Sequence, residues 1–86
     1  MNKACLWDRE EDPNGNVRHI AEHGLTREDV ESVLSHADRV FRSRSSGRPC
    51  VFGFTPLGEY IIVMFVSRDP ETVYPVTAYP VPQPKR

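Results

Sequence analysis

Long hydrophobic runs are missing from this 86-residue chain. The longest, Tyr60-Ile61-Ile62-Val63-Met64-Phe65-Val66, has the length of a strand, whereas a helix crossing a bilayer needs about 20 apolar residues. The start, Met1-Asn2-Lys3-Ala4-Cys5-Leu6-Trp7-Asp8, lacks the apolar stretch and small-residue cleavage site of a secretory signal. A cytoplasmic protein without a membrane segment is the expectation. An excess of one charge is missing too: 11 basic and 12 acidic residues leave a net charge of −1, which argues against nucleic-acid binding by bulk electrostatics. Cysteine is scarce, with only Cys5 and Cys50. Both stand in apolar, strand-like surroundings, where a free thiol behaves as a small hydrophobe and a reducing cytosol keeps it unpaired. No P-loop, dinucleotide-binding fingerprint, serine-centred triad or carboxylate pair is present.

What the chain does have is one domain's worth of sequence. A domain of this length buries only about 60–65% of the surface its unfolded chain exposes. With 38% hydrophobic residues and 8 prolines, its core is expected to be thin, leaving apolar surface that a partner or a second copy could cover. Acids crowd the first third, at Asp8, Glu10, Glu11, Asp12, Glu22, Glu28, Asp29 and Glu31. Arg39, Arg42, Arg44 and Arg48 then follow with no acid between them, so one face is expected to be basic.

The patterning predicts an α+β domain over residues 1–79, with two helices in the N-terminal half packed on a small antiparallel sheet from the C-terminal half. Residues 4–7 suit a short first strand, and Asp12-Pro13-Asn14-Gly15 is a turn. Val17, Ile20 and His23 carry a helical spacing over about 14–23, with Gly24 just past the end, where glycine alone adopts a left-handed backbone cheaply. Thr26-Arg27-Glu28-Asp29 is a capping box opening a second helix that ends near Ser35 or His36. Arg39–Arg42 is a weak strand. Residues 49–55 and 59–67 are β-rich runs joined by Pro56-Leu57-Gly58, and residues 72–79 alternate as a last strand that Pro75 demotes to an edge or a bulge. The tail 80–86, with prolines at 80, 82 and 84, is expected to be extended or disordered.

Three groups of residues could carry chemistry. His19 and His23, four apart, would share a helix face and supply either two metal ligands or groups that titrate near neutrality. No third ligand falls at a recognised spacing, and the chain lacks the His-Glu-x-x-His form of zinc proteases. Arg39, Arg42, Arg44 and Arg48 present planar donors suited to phosphate, and Arg68 closes a strand from which it could reach a concave face. Tyr60, Tyr74 and Tyr79 could stack bases or donate a proton. For each group a solvated surface or a half-buried strand position is the ordinary alternative.

The order of these signals resembles one family. Trp7-Asp8, then Asn16-Val17-x-His19-Ile20-x-x-His23-Gly24-Leu25-Thr26-x-Glu28-Asp29-Val30-x-x-Val33-Leu34, then Arg48 leading into a strand, a glycine-containing hairpin and Val76-Thr77-Ala78, look like the BrnT-type toxins of bacterial toxin–antitoxin modules. The resemblance covers roughly residues 6–79. It implies a RelE-like fold and a metal-independent ribonuclease, without a cofactor, neutralised by a partner antitoxin protein. His23 and Arg48 are the positions it marks as catalytic, with Arg68 a weaker addition; beside them, Arg39, Arg42 and Arg44 are expected as RNA contacts from their own chemistry and His19 as a supporting residue. Relatives follow the last Thr-Ala or Ser-Ala with an arginine and a charged helix, whereas Tyr79 follows Ala78 here. Either Tyr79 takes over proton transfer or phosphate contact, or the scaffold has lost its activity. Two other readings remain open: a non-catalytic module that binds a protein by strand addition, and a small metal-binding protein using His19 and His23.

Overall fold

A computed structural model describes residues 3–83, in the order β1 (Ala4–Cys5), α1 (Asn16–Ala21), α2 (Arg27–His36), β2 (Phe41–Arg42), β3 (Pro49–Phe54), β4 (Tyr60–Asp69) and β5 (Thr72–Pro80). The strands make one sheet ordered β1-β5-β4-β3-β2. The expected RelE-like arrangement, two N-terminal helices on an antiparallel sheet, is not what the chain forms. A strand comes before the helices, so they lie between β1 and β2, and β1 pairs parallel with β5, which makes the sheet mixed. The backbone explains the difference: Ala4 N–H donates to Glu71 O at 2.8 Å and Leu6 N–H to Val73 O at 2.9 Å, so the chain starts on the sheet and must leave it to build the helices. The opening of β5 is therefore paired on both sides. Pro75 sits beside the register shift between Met64 and Phe65, a bulge rather than an edge position, where a residue lacking N–H is tolerated.

The helices follow local chemistry. Thr26 Oγ1 accepts from Asp29 N–H at 3.2 Å and Asp29 Oδ2 accepts from Thr26 N–H at 2.9 Å, completing the capping box that opens α2. α1 is shorter than its apolar spacing predicts. It ends at Ala21, and Leu25 N–H donates back to Ile20 O at 3.1 Å around Gly24, whose φ of 77° is the left-handed conformation this closure needs. His23 thus stands in the closing turn, outside the helix that carries His19.

Both helices pack on the same face of the sheet, α1 against β5 and α2 against β3 and β4. Alternation along the strands then sorts every side chain. Val51, Ile61, Val63, Phe65, Val73 and Ala78 point to the helices and join Ile20, Leu25, Val30, Val33 and Leu34 in one buried core. A Cβ on Gly53 would lie 3.1 Å from Val33 Cγ1, so this glycine lets α2 approach the sheet closely. The opposite face carries successive cross-strand rows: Phe54 and Tyr60; Phe52, Ile62 and Tyr79; Cys50, Met64 and Thr77; Val66 and Tyr74. No helix among the described residues covers them.

Cys5 packs against the helix-side core, whereas Cys50 lies on the opposite face three strands away, about 14 Å at the usual strand spacing. That separation is too great for a disulfide. Burial, with the nearby Glu31 carboxylate second, pushes the Cys5 thiol up to about 11, and burial raises Cys50 as well, so both stay protonated. Val81 N–H continues the sheet by donating to Tyr60 O at 3.0 Å, so the expected loose tail begins later than residue 80, and its last residues, 84–86, lie outside the described residues. No helix among the described residues is long and apolar enough to cross a membrane.

Candidate functional site

The uncovered face holds two tyrosines of β5 in opposite circumstances. Tyr74 is tied down. Its hydroxyl donates to Asp8 Oδ2 at 2.5 Å, and the same oxygen accepts Asn16 N–H at 2.9 Å. The buried Asn16 side chain then uses all its remaining capacity: Oδ1 accepts from Asp8 N–H at 2.9 Å, and Nδ2 donates to Leu6 O at 3.0 Å and Pro75 O at 2.8 Å. One asparagine thereby joins the segment after β1, the start of α1 and the β5 bulge. The Tyr74 hydrogen bond, the Asn16 N–H and the Arg68 charge hold the Asp8 carboxyl below its ordinary value. The same bond to Asp8, followed by burial, raises the Tyr74 phenol. Arg68 lies over the Tyr74 ring, 5.3 Å from its centroid.

Tyr79, five residues on, is on the order of 15 Å away along the strand. Its ring meets that of His23 at 5.7 Å between centroids, tilted by 50°. Gly24 makes the contact possible, since the turn it permits carries His23 past the end of α1 to the sheet edge. No hydrogen bond or ion pair engages either side chain among the described residues, so a base and a proton donor stand side by side with their polar atoms uncommitted.

The other sequence candidates do not converge on this pair. Tyr79 aligns with Ile62 and Phe52 across the sheet. Arg48 stands four residues before Phe52 along its strand, about 13 Å, and Arg68 six residues beyond Ile62, about 20 Å. Arg42 Nη1 donates to Gly47 O at 2.9 Å, bracing the loop that carries Arg44 and Arg48. Arg39 lies 5.6 Å over the Phe41 ring. His19 is exposed on α1, and among the described residues no three His, Cys, Asp or Glu side chains gather as metal ligands.

The sequence singled out Tyr60 as a residue that could stack a base, but not the phenylalanines that join it. Phe41, Phe52, Tyr60 and Phe54 form a chain of ring contacts with centroids 5.6, 6.2 and 4.9 Å apart in that order. Phe41 and Phe54 remain 44% and 52% exposed, which separates them from core aromatics. A cleft of about 490 Å³ opens beside them, between Phe41, Phe52 and Tyr60 on the strands, His36 and Arg39 on the segment leaving α2, and Pro82. Phe52 and Phe54 at i and i+2, with Tyr60 just across the hairpin, were the available signal.

No known family, no curated protein and no solved structure matches the chain.

Proposed function

We propose that the chain is a metal-independent endoribonuclease of the BrnT toxin type, acting on RNA in the cytoplasm and restrained by an antitoxin protein. The observation that supports it most is the contact of His23 and Tyr79 at the rim of an uncovered sheet face, with both side chains free of hydrogen bonds among the described residues. The residue resemblance is the second support.

In this reading the ribose 2′-oxygen attacks its neighbouring phosphorus. The new O2′–P bond forms as the P–O5′ bond breaks; His23 takes the 2′-hydroxyl proton, and the Tyr79 phenol gives its proton to the departing O5′. The products are a 2′,3′-cyclic phosphate and a 5′-hydroxyl, and the proton that His23 took passes to the Tyr79 phenolate, directly or through water, which restores both groups. Arg39, Arg44 and Arg48 anchor flanking phosphates, a role their distance from His23 suits better than contact with the reacting phosphate. Arg68 is engaged with Tyr74 and gets no part in the reaction. The rival reading is strand addition of a protein partner: β1 and β2 pair at two positions each, so among the described residues β5 beyond Val73 and β3 beyond Cys50 have no strand neighbour on that side.

The test is cleavage of end-labelled RNA by the purified chain in the presence of a chelator, with the new ends analysed. Cyclic phosphate ends, lost with His23→Ala together with growth arrest on induced expression, are expected. Intact RNA and unimpaired growth at high levels of folded protein would sink the proposal.

A further inference from the structure

We propose that the cleft between Phe41, Phe52 and Tyr60 is a stacking subsite for unpaired RNA bases, which makes the chain select single-stranded over duplex RNA. The inference rests on the reading of RNA as the ligand, but it concerns different residues from those that would do the chemistry.

An antiparallel sheet with helices on one side ordinarily turns polar side chains to solvent on the other. Here the free side carries Phe54 exposed and Phe52, Tyr60, Met64 and Val66 half-buried, with Ile62 of the same face only 7% exposed. An apolar patch of this kind on a small domain marks a binding surface. Its composition narrows the occupant. Four rings in sequence offer flat π-surfaces, and two of them keep about half their area open to solvent. Arg39 projects over the outermost ring, and Arg42, Arg44 and Arg48 follow on β2 and its loop, so a run of positive charge borders the rings on the β2 side. Asp38 is the carboxylate in the cleft lining, directly beside Arg39. Rings bordered by arginines suit a ligand that alternates flat apolar faces with negative charges, which is the chemistry of a single nucleic-acid strand. A duplex hides those base faces and would meet the rings edge-on.

Register connects the cleft to the reacting pair. Phe52, Ile62 and Tyr79 form one cross-strand row, so Phe52 and Tyr79 are two strand spacings apart, about 10 Å. One oligonucleotide can therefore lay a base against Phe52 and Phe41 and still present a phosphodiester at His23 and Tyr79.

The experiment measures binding of three labelled probes to the full chain: a single-stranded RNA made non-cleavable by a 2′-O-methyl group at each position, its duplex, and the same strand with abasic sugars. The intact strand is expected to bind at least tenfold more tightly than either of the others. Phe41→Leu and Phe52→Leu, an exposed and a half-buried position of the cleft where an apolar residue keeps the fold, should each weaken it by about tenfold, and Phe41→Trp should keep the affinity of the parent. Arg39→Gln should lower the salt dependence by about one phosphate contact. Equal affinity for the intact and abasic strands, or leucine variants that bind as well as the parent, would overturn the subsite even if the chain cleaves RNA. Base-dependent binding without any cleavage keeps the subsite and overturns the nuclease. A chain that binds none of the probes overturns both.

Discussion

The two ends of β5 differ in what their tyrosines are committed to. At the Tyr74 end, phenol, carboxylate, carboxamide and two backbone carbonyls satisfy one another through Asn16, and Arg68 covers the ring. At the Tyr79 end the phenol meets only an imidazole ring, held there by a glycine turn. The same residue type, on the same strand and the same face, is a structural lock in one place and an uncommitted acid in the other. Saturated polar groups give a fold its specificity, whereas unsaturated and accessible ones are what a reaction needs. That Arg68 belongs to the lock explains why an arginine at a strand end, a reasonable candidate in sequence, has no place beside His23.

The contrast predicts opposite consequences for substitution at the two ends. His23→Ala should reduce RNA cleavage by about 10²- to 10⁴-fold, the usual worth of a general base, while the thermal midpoint stays within a degree or so of the parent. A large loss of stability there would move His23 into the structural class. Asn16→Ala should do the reverse. It strands Pro75 O in a buried position and Leu6 O and Asp8 N–H in part-buried ones, a cost on the order of 1–3 kcal/mol by chemical denaturation. In whatever fraction remains folded, cleavage per molecule should be close to normal.

Much of the framework was legible because it is written in local chemistry. Thr26 and Asp29 announce the start of α2, Gly24 the end of the α1 turn, and Pro56-Leu57-Gly58 the β3–β4 hairpin. Position in the sheet was not legible. Nothing local in Ala4-Cys5 says that its partner is Thr72-Val73, so the parallel pairing, and with it the mixed sheet, lay outside the reach of pattern reading. The site divides in the same way. His23 and Tyr79 were both candidates, and the fold brings them together; Arg48 was a candidate as well, with Arg68 a weaker one, and strand register keeps both apart from that pair. Asn16 stood within a motif as one letter among many, because the groups it bonds lie up to 59 positions away. Of the aromatic row only Tyr60 was a candidate, because the side on which Phe52 and Phe54 stand follows from which face the helices cover.

A substitution at the helix–sheet contact sharpens the comparison of the two faces. Gly53→Ala puts a Cβ 3.1 Å from Val33 Cγ1, so α2 or Val33 must give by a few tenths of an ångström. The expected cost is about 1–2 kcal/mol, measured by denaturant unfolding. Val33→Ala in the same chain should relieve part of it, giving a favourable coupling between two otherwise destabilising changes. Additive losses would show that Gly53 is needed for its backbone rather than for the close approach.

The smallest effect tests the lock itself. Because Asp8 is held below its ordinary value, its contribution is present in full above the ordinary carboxylate range and is lost as pH falls through the lowered value. Because Tyr74 is raised, its contribution is present below the ordinary phenol value of about 10 and is lost as pH rises through the raised one. One hydrogen bond therefore gives stability with two limbs. Tyr74→Phe keeps the ring beneath Arg68 and removes only the hydroxyl, so the gap in thermal midpoint between parent and variant should be widest near neutrality and shrink toward both acid and alkali. A gap that stays constant over the whole range would mean that Tyr74 acts through ring packing, and that the bond to Asp8 contributes nothing to the difference between the two ends of β5.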